Sequence, residues 1–171
     1  MLRRVRETAP AGLVPLAWIF AITGHLDRVG DRAVLIAHVV MSVLLVAFVV
    51  LSWRDMRSGV LRAWRLVILA GIPVTLAGAA GAAADLGPIP LLVSVVGWAL
   101  LPAPALWYTA RESAGSARPV NAVAAALSLA GATAYLGAVV AGDPAVAVAV
   151  AGLAIVGVGQ TVGIVDAVVR Y

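Results

Sequence analysis

The chain is written in long apolar runs separated by short polar interruptions. Six runs, at residues 9–24, 33–53, 64–84, 89–110, 119–141 and 144–169, are dominated by Ala, Val, Leu and Ile. Each approaches the ~20 residues with which a helix crosses a hydrocarbon core of ~30 Å, the first being the shortest. Lipid offers backbone groups no partner, so a run of this kind must satisfy them internally as a helix. The interruptions fall at residues 25–32, 52–63, 85–88, 111–118 and 142–143. Connections this brief join antiparallel neighbours into hairpins. The predicted fold is all-α, a polytopic membrane protein that forms a compact bundle of six transmembrane helices in a single integral membrane domain over residues 1–171. Internal similarity suggests three related helical hairpins. His38-Val-Val-Met-Ser-Val-Leu-Leu-Val-Ala aligns with Ser94-Val-Val-Gly-Trp-Ala-Leu-Leu-Pro-Ala at a spacing of 56, and Thr75-Leu-Ala-Gly-Ala echoes Ser128-Leu-Ala-Gly-Ala.

Composition supports this reading. With 63% of residues hydrophobic and a mean hydropathy of +1.07, the chain has too little polar surface to cover a soluble globule. The absence of cysteine excludes disulfides, thiolate metal sites and thiol catalysis. All 12 basic residues are arginine, so Schiff-base chemistry and a P-loop lysine are excluded as well. The net charge of +4 does not point to nucleic acid, because the arginines lie in the short loops.

Those arginines instead predict orientation. Ten of them, from Arg3, Arg4 and Arg6 through Arg54–Arg65 and Arg111–Arg118 to Arg170, fall on one side of the alternating spans; only Arg28 and Arg32 fall on the other. The positive-inside rule then places both termini in the cytoplasm of a plasma-membrane protein. Trp53, Trp64, Trp107, Tyr108 and Tyr171 share the arginine-rich side, as an aromatic belt would, while Asp27, Asp31, Asp85 and Asp143 mark the other. The basic start and short first run also have the form of a secretory signal. No small-x-small site follows them, so the first span is expected to be retained.

Residues with chemical potential are few. Pro102 and Pro104 interrupt the apolar run 97–108 and remove two backbone donors, which frees carbonyls near Trp98 and Leu100. A discontinuous helix of this kind lines the substrate site in many transporters. Gln160 lies near mid-membrane, where an amide must face the bundle, and with Ser94 it completes a sparse set of candidate pathway residues. Gly159 and Gly163 form a G-x-x-x-G face, with Gly78 and Gly81 as counterpart packing positions, within the chain or between copies. His25, His38, Asp27 and Asp31 gather around the first outer loop, with the ligand types that a divalent metal accepts; the two histidines also raise haem ligation. Haem is disfavoured by depth, since His38 sits about 9 Å further into the membrane than His25 at 1.5 Å per residue. Asp166 lies one turn before Arg170 and is expected to form an interfacial ion pair.

No nucleophile, base and orienting group stand together in the sequence, which makes enzyme chemistry the less favoured class. The expected activity is that of a small transporter-like or channel-like module or of a membrane subunit. Its partners would be the lipid bilayer and further copies or other membrane subunits. The alternative is a redox protein that binds haem or metal through His25 and His38.

Overall fold

The structure is a computed structural model that describes residues 2–84, 86–142 and 145–170, with side-chain detail from Thr8 onward. The expectations for Asp85, Asp143, Pro144, Tyr171 and the side chains of Arg3, Arg4 and Arg6 lie outside the described residues. The elements are α1 (Leu2–His25), α2 (Asp31–Ser52), α3 (Gly59–Ala84), α4 (Ile89–Leu100), α5 (Pro102–Glu112), α6 (Ala117–Ala141) and α7 (Val146–Arg170), and the described residues contain no strand.

Local chemistry accounts for the helix ends. At the end of α1, Arg28 N–H donates to the Thr23 carbonyl (2.9 Å) and Asp27 N–H to that of Gly24 (3.1 Å), with Asp27 at φ +53°. This is a Schellman closure that uses aspartate, which tolerates the left-handed region, where glycine is commoner. At the end of α6, Gly142 at φ +82° donates its N–H to the Ala138 carbonyl. Asp31 stands in the first turn of α2, where its charge suits the helix dipole, and Pro90 in the first turn of α4, where no donor is required.

Among the described residues, five helical stretches are long and apolar enough to cross a membrane: α2, α3, the α4–α5 pair read as residues 89–112, α6 and α7. The first helix begins Leu2-Arg3-Arg4-Val5-Arg6 and falls below that measure of apolarity, although its second half packs at mid-depth against α7.

Packing follows the order α1, α7, α6, α4–α5, α3, α2, each helix lying against the next. The short turn after His25 therefore joins the two ends of this series, and α1 and α2 do not pair along their lengths as a hairpin. The reason is complementarity. α7 offers Trp18 a notch at Gly157 and an acceptor at Gln160, whereas α2 presents a valine-rich surface without either. The core has two centres. One gathers Trp18, Ala99, Tyr135, Leu153 and Val156, and the other Leu106, Ala124 and Ala125 beneath Trp64. Glycine sets the spacing between α6 and α7. A Cβ added at Gly131 would stand 2.5 Å from the Gly152 carbonyl oxygen, and one at Gly152 would stand 2.7 Å from Tyr135 N, so only hydrogen fits at either position. By contrast α2 is peripheral, with 11% of its most apolar window buried against 44% for α7. Its Ile36, Val39, Val43, Val46 and Val50 are exposed, as lipid-facing residues are.

Candidate functional site

The proline pair is the natural place to build from. Leu101 keeps helical dihedrals (φ −55°, ψ −41°) and its N–H still reaches the Gly97 carbonyl at 2.8 Å, so the backbone does not unwind between α4 and α5. What breaks is the hydrogen-bond ladder. Pro102 cannot donate to the Trp98 carbonyl, and proline's fixed φ is otherwise compatible with the helix. The two prolines also face different surroundings: Pro102 is buried, whereas Pro104 and Leu100 lie on the exposed face. Of the two carbonyls that the prolines leave free, that of Trp98 is the one met by a side chain from another helix.

Gln160 meets that carbonyl. Its Nε2 donates to the Trp98 oxygen at 2.9 Å and, at the limit of hydrogen bonding, to that of Ala99 at 3.4 Å. Its Oε1 accepts from the Trp18 indole N–H at 3.0 Å. An indole only donates and a carbonyl only accepts, so these partners fix the orientation of the amide. The chain of bonds continues through Trp98, whose indole donates to Thr75 Oγ1 (2.8 Å), and Thr75 donates in turn to the Gly71 carbonyl (2.9 Å). Four helices, α1, α7, α4 and α3, are thereby tied across the middle of the bundle without a charged group. Room for the Trp98 ring comes from Gly71, where any Cβ would overlap it.

A second tie joins α2 to α4. His38 Nδ1 lies 2.8 Å from the Val34 carbonyl, an acceptor only, so this nitrogen carries the proton; Nε2 then accepts from Ser94 Oγ at 3.2 Å. The imidazole occupies the notch left by Gly78, where a Cβ would overlap the ring. Ser94 is buried, and the N–H groups of the helix interior around it are committed to the ladder, so the pair acts as a link between helices.

At the arginine-rich end, Asp166 accepts from Arg170 Nε (2.7 Å) on one oxygen and from Asn121 Nδ2 (2.9 Å) on the other, and Arg170 also donates to Ser116 Oγ (3.0 Å). Asn121 donates to the Ala117 carbonyl too, and its buried Oδ1 has no partner among the described residues. Trp64 turns inward, donating to Thr109 Oγ1 at 3.2 Å, while Trp53, Trp107 and Tyr108 remain exposed.

The remaining candidates are dispersed. His25 packs against Tyr135 of α6 with the two rings in a T-shaped arrangement (centroids 5.6 Å apart), whereas His38 meets Ser94 of α4. Asp27 and Asp31 are exposed at the turn, and among the described residues no three His, Asp or Glu side chains gather as a metal site. The packing glycines all meet neighbours within the chain: Gly159 against Leu127 and the Ala124 carbonyl, Gly163 against Leu106, Gly78 against His38, and Gly81 against Pro90. The residues not foreseen from sequence are Trp18 and Asn121. Trp18 carried a visible signal, since an indole in the middle of an apolar run needs an acceptor as much as Gln160 needs a donor.

The fold and this interior define a helical membrane bundle whose polar side chains are largely matched to one another. Comparison with known proteins found no matching family, no curated relative and no solved structure of similar fold.

Proposed function

We propose that the chain is a transporter-like integral membrane module for small uncharged polar solutes. It spans the plasma membrane six times as one domain, with both termini cytoplasmic. The single observation that carries this reading is the Gln160 amide bonded to the carbonyl that Pro102 leaves free. A side-chain amide from another helix is an exchangeable partner, unlike the N–H of a continuous helix. When α7 and α4 part, the same two groups present a donor and an acceptor to a solute near the middle of the membrane. The solute class follows from the absence of charge on Trp18, Gln160, Trp98 and Thr75, since an ion would find no counter-charge there. The excess of arginine at one end supports the orientation.

Stopped-flow light scattering on proteoliposomes tests the proposal with water, urea and glycerol. Flux of at least one solute should exceed that of empty liposomes about tenfold, and Gln160→Leu should reduce it severalfold. Flux equal to that of empty liposomes for all three overturns it.

A further inference from the structure

Two grooves on the outer side of the α2–α3 pair form one continuous surface. The upper groove, ≈ 560 Å³, is lined by Val43, Val46, Ala47 and Val50 of α2 and by Ile72 and Leu76 of α3. The lower one, ≈ 520 Å³, reaches Trp53, Arg54 and Asp55, and both share Val50 and Leu51. Helical periodicity explains the alignment. Val43, Val46, Val50 and Arg54 follow one stripe of α2 and its extension, and Leu76 and Ile72 follow one stripe of α3, with Arg65 about two turns further along it.

The length of this surface is telling. From Val43 to Arg54 is ~16 Å at 1.5 Å per residue, about half of a ~30 Å hydrocarbon core, which is the depth of one leaflet. The arginine-bearing end places exposed Arg54 in the lower groove beside Trp53, and next to it the Arg65 guanidinium lies over the Trp53 ring (4.5 Å) while one terminal nitrogen donates to the Trp53 carbonyl (3.4 Å). Between Trp53 and Arg65 the sequence carries four arginines, Arg54, Arg57, Arg62 and Arg65, against Asp55 as the only acid. An exposed arginine beside a tryptophan, in a segment with four arginines to one acid, at the head of an apolar groove one leaflet long, suits an anion joined to a hydrocarbon chain.

We propose that the α2–α3 groove is a binding site for an anionic glycerophospholipid. One acyl chain lies along Val43–Val50 and Ile72–Leu76, and the phosphate is held by Arg65 and Arg54 beside Trp53. Guanidinium suits the phosphate because it offers several donors in a plane, and tryptophan suits the interface because its ring is amphipathic. The site also gives α2, which is fastened to the bundle by α3 and the His38–Ser94 link, a further constraint on the bundle's edge. The inference rests on membrane embedding and is independent of the transport reading.

Thermal unfolding and native mass spectrometry of the detergent-purified full chain test it, with dioleoylphosphatidylglycerol, dioleoylphosphatidylcholine and inorganic phosphate as probes. Phosphatidylglycerol should bind at least tenfold more tightly than phosphatidylcholine and raise the unfolding temperature. Arg54→Gln together with Arg65→Gln should abolish that preference, and Arg54→Gln alone, at an exposed position, should reduce it. Val46→Trp, which fills the groove from an exposed position, should weaken binding of both lipids. Equal binding of the two lipids by the unaltered protein overturns the proposal. So does phosphatidylglycerol binding that survives loss of both arginines, or protection by inorganic phosphate equal to that by the lipid, which would show an anion site with no chain in the groove. None of these readouts involves solute flux, so failure here and failure of the transport reading are separate results.

Discussion

The side-chain amide of Gln160 donates to the main-chain carbonyl of Trp98, taking the place of the N–H that Pro102 lacks. A defect in one helix is thus repaired by a residue of another, 62 positions away in sequence. The substitution is one for one: a proline removes a donor and a glutamine supplies it.

The pairing should show as non-additivity in a double-mutant cycle. Gln160→Leu in the natural background strands both the Trp98 carbonyl and the Trp18 indole, at a cost of about 1–2 kcal/mol for two hydrogen bonds within a membrane. In a Pro102→Ala background the restored N–H satisfies Trp98, and the same change should cost about half as much. Unfolding equilibria of the four proteins in detergent measure the coupling. Equal costs in the two backgrounds would show that Gln160 does not replace the missing donor.

Gly78 and His38 should behave as one unit. In an exposed helix, glycine to alanine gains up to ~1 kcal/mol of helix propensity. At Gly78 the added methyl meets the imidazole, so Gly78→Ala should instead lose about 1–3 kcal/mol through overpacking. Removing the ring as well, in His38→Ala/Gly78→Ala, should bring stability back to that of His38→Ala alone. The comparison is made by unfolding temperature, and no recovery in the double variant would mean that the notch accommodates something other than the ring.

Sidedness can be read directly because the chain contains no cysteine. Single cysteines at the exposed positions Arg28 and Arg57 should react with a membrane-impermeant maleimide from opposite sides, with position 57 labelled only after the membrane is opened. Labelling of both from one side would require a different number of crossings between them.

Much of this was legible in the sequence for a simple reason: in lipid, a helix declares itself by length and apolarity alone. The run boundaries agree with the helices to within a few residues except at α1, which extends through its arginines to Leu2. The amide of Gln160 and the proline pair also stood out, because each violates the apolar rule locally. What could not be read was which helices meet. Short loops fix that consecutive ends are close, but whether two helices then run together depends on surface fit. The glycine notch for Trp18 lies on α7, not on α2. The same limit applied to His38 and Ser94. They are equivalent positions in the aligned second and fourth runs, yet alignment gives no distance, and their contact depends on the absence of a side chain at a third position, Gly78.

The seating of α1 on α7 has a consequence for how the molecule is made. Trp18 and Gln160 are separated by 142 residues. At 5–20 residues per second, roughly 7–30 s pass between the synthesis of one and of the other. During that interval the Trp18 indole lacks the acceptor it meets in the finished bundle, while α2 and α3, which pack on each other, have both been made. The first helix made is thus the one whose partner is made last, and its contacts can be completed only when the ribosome has delivered that partner.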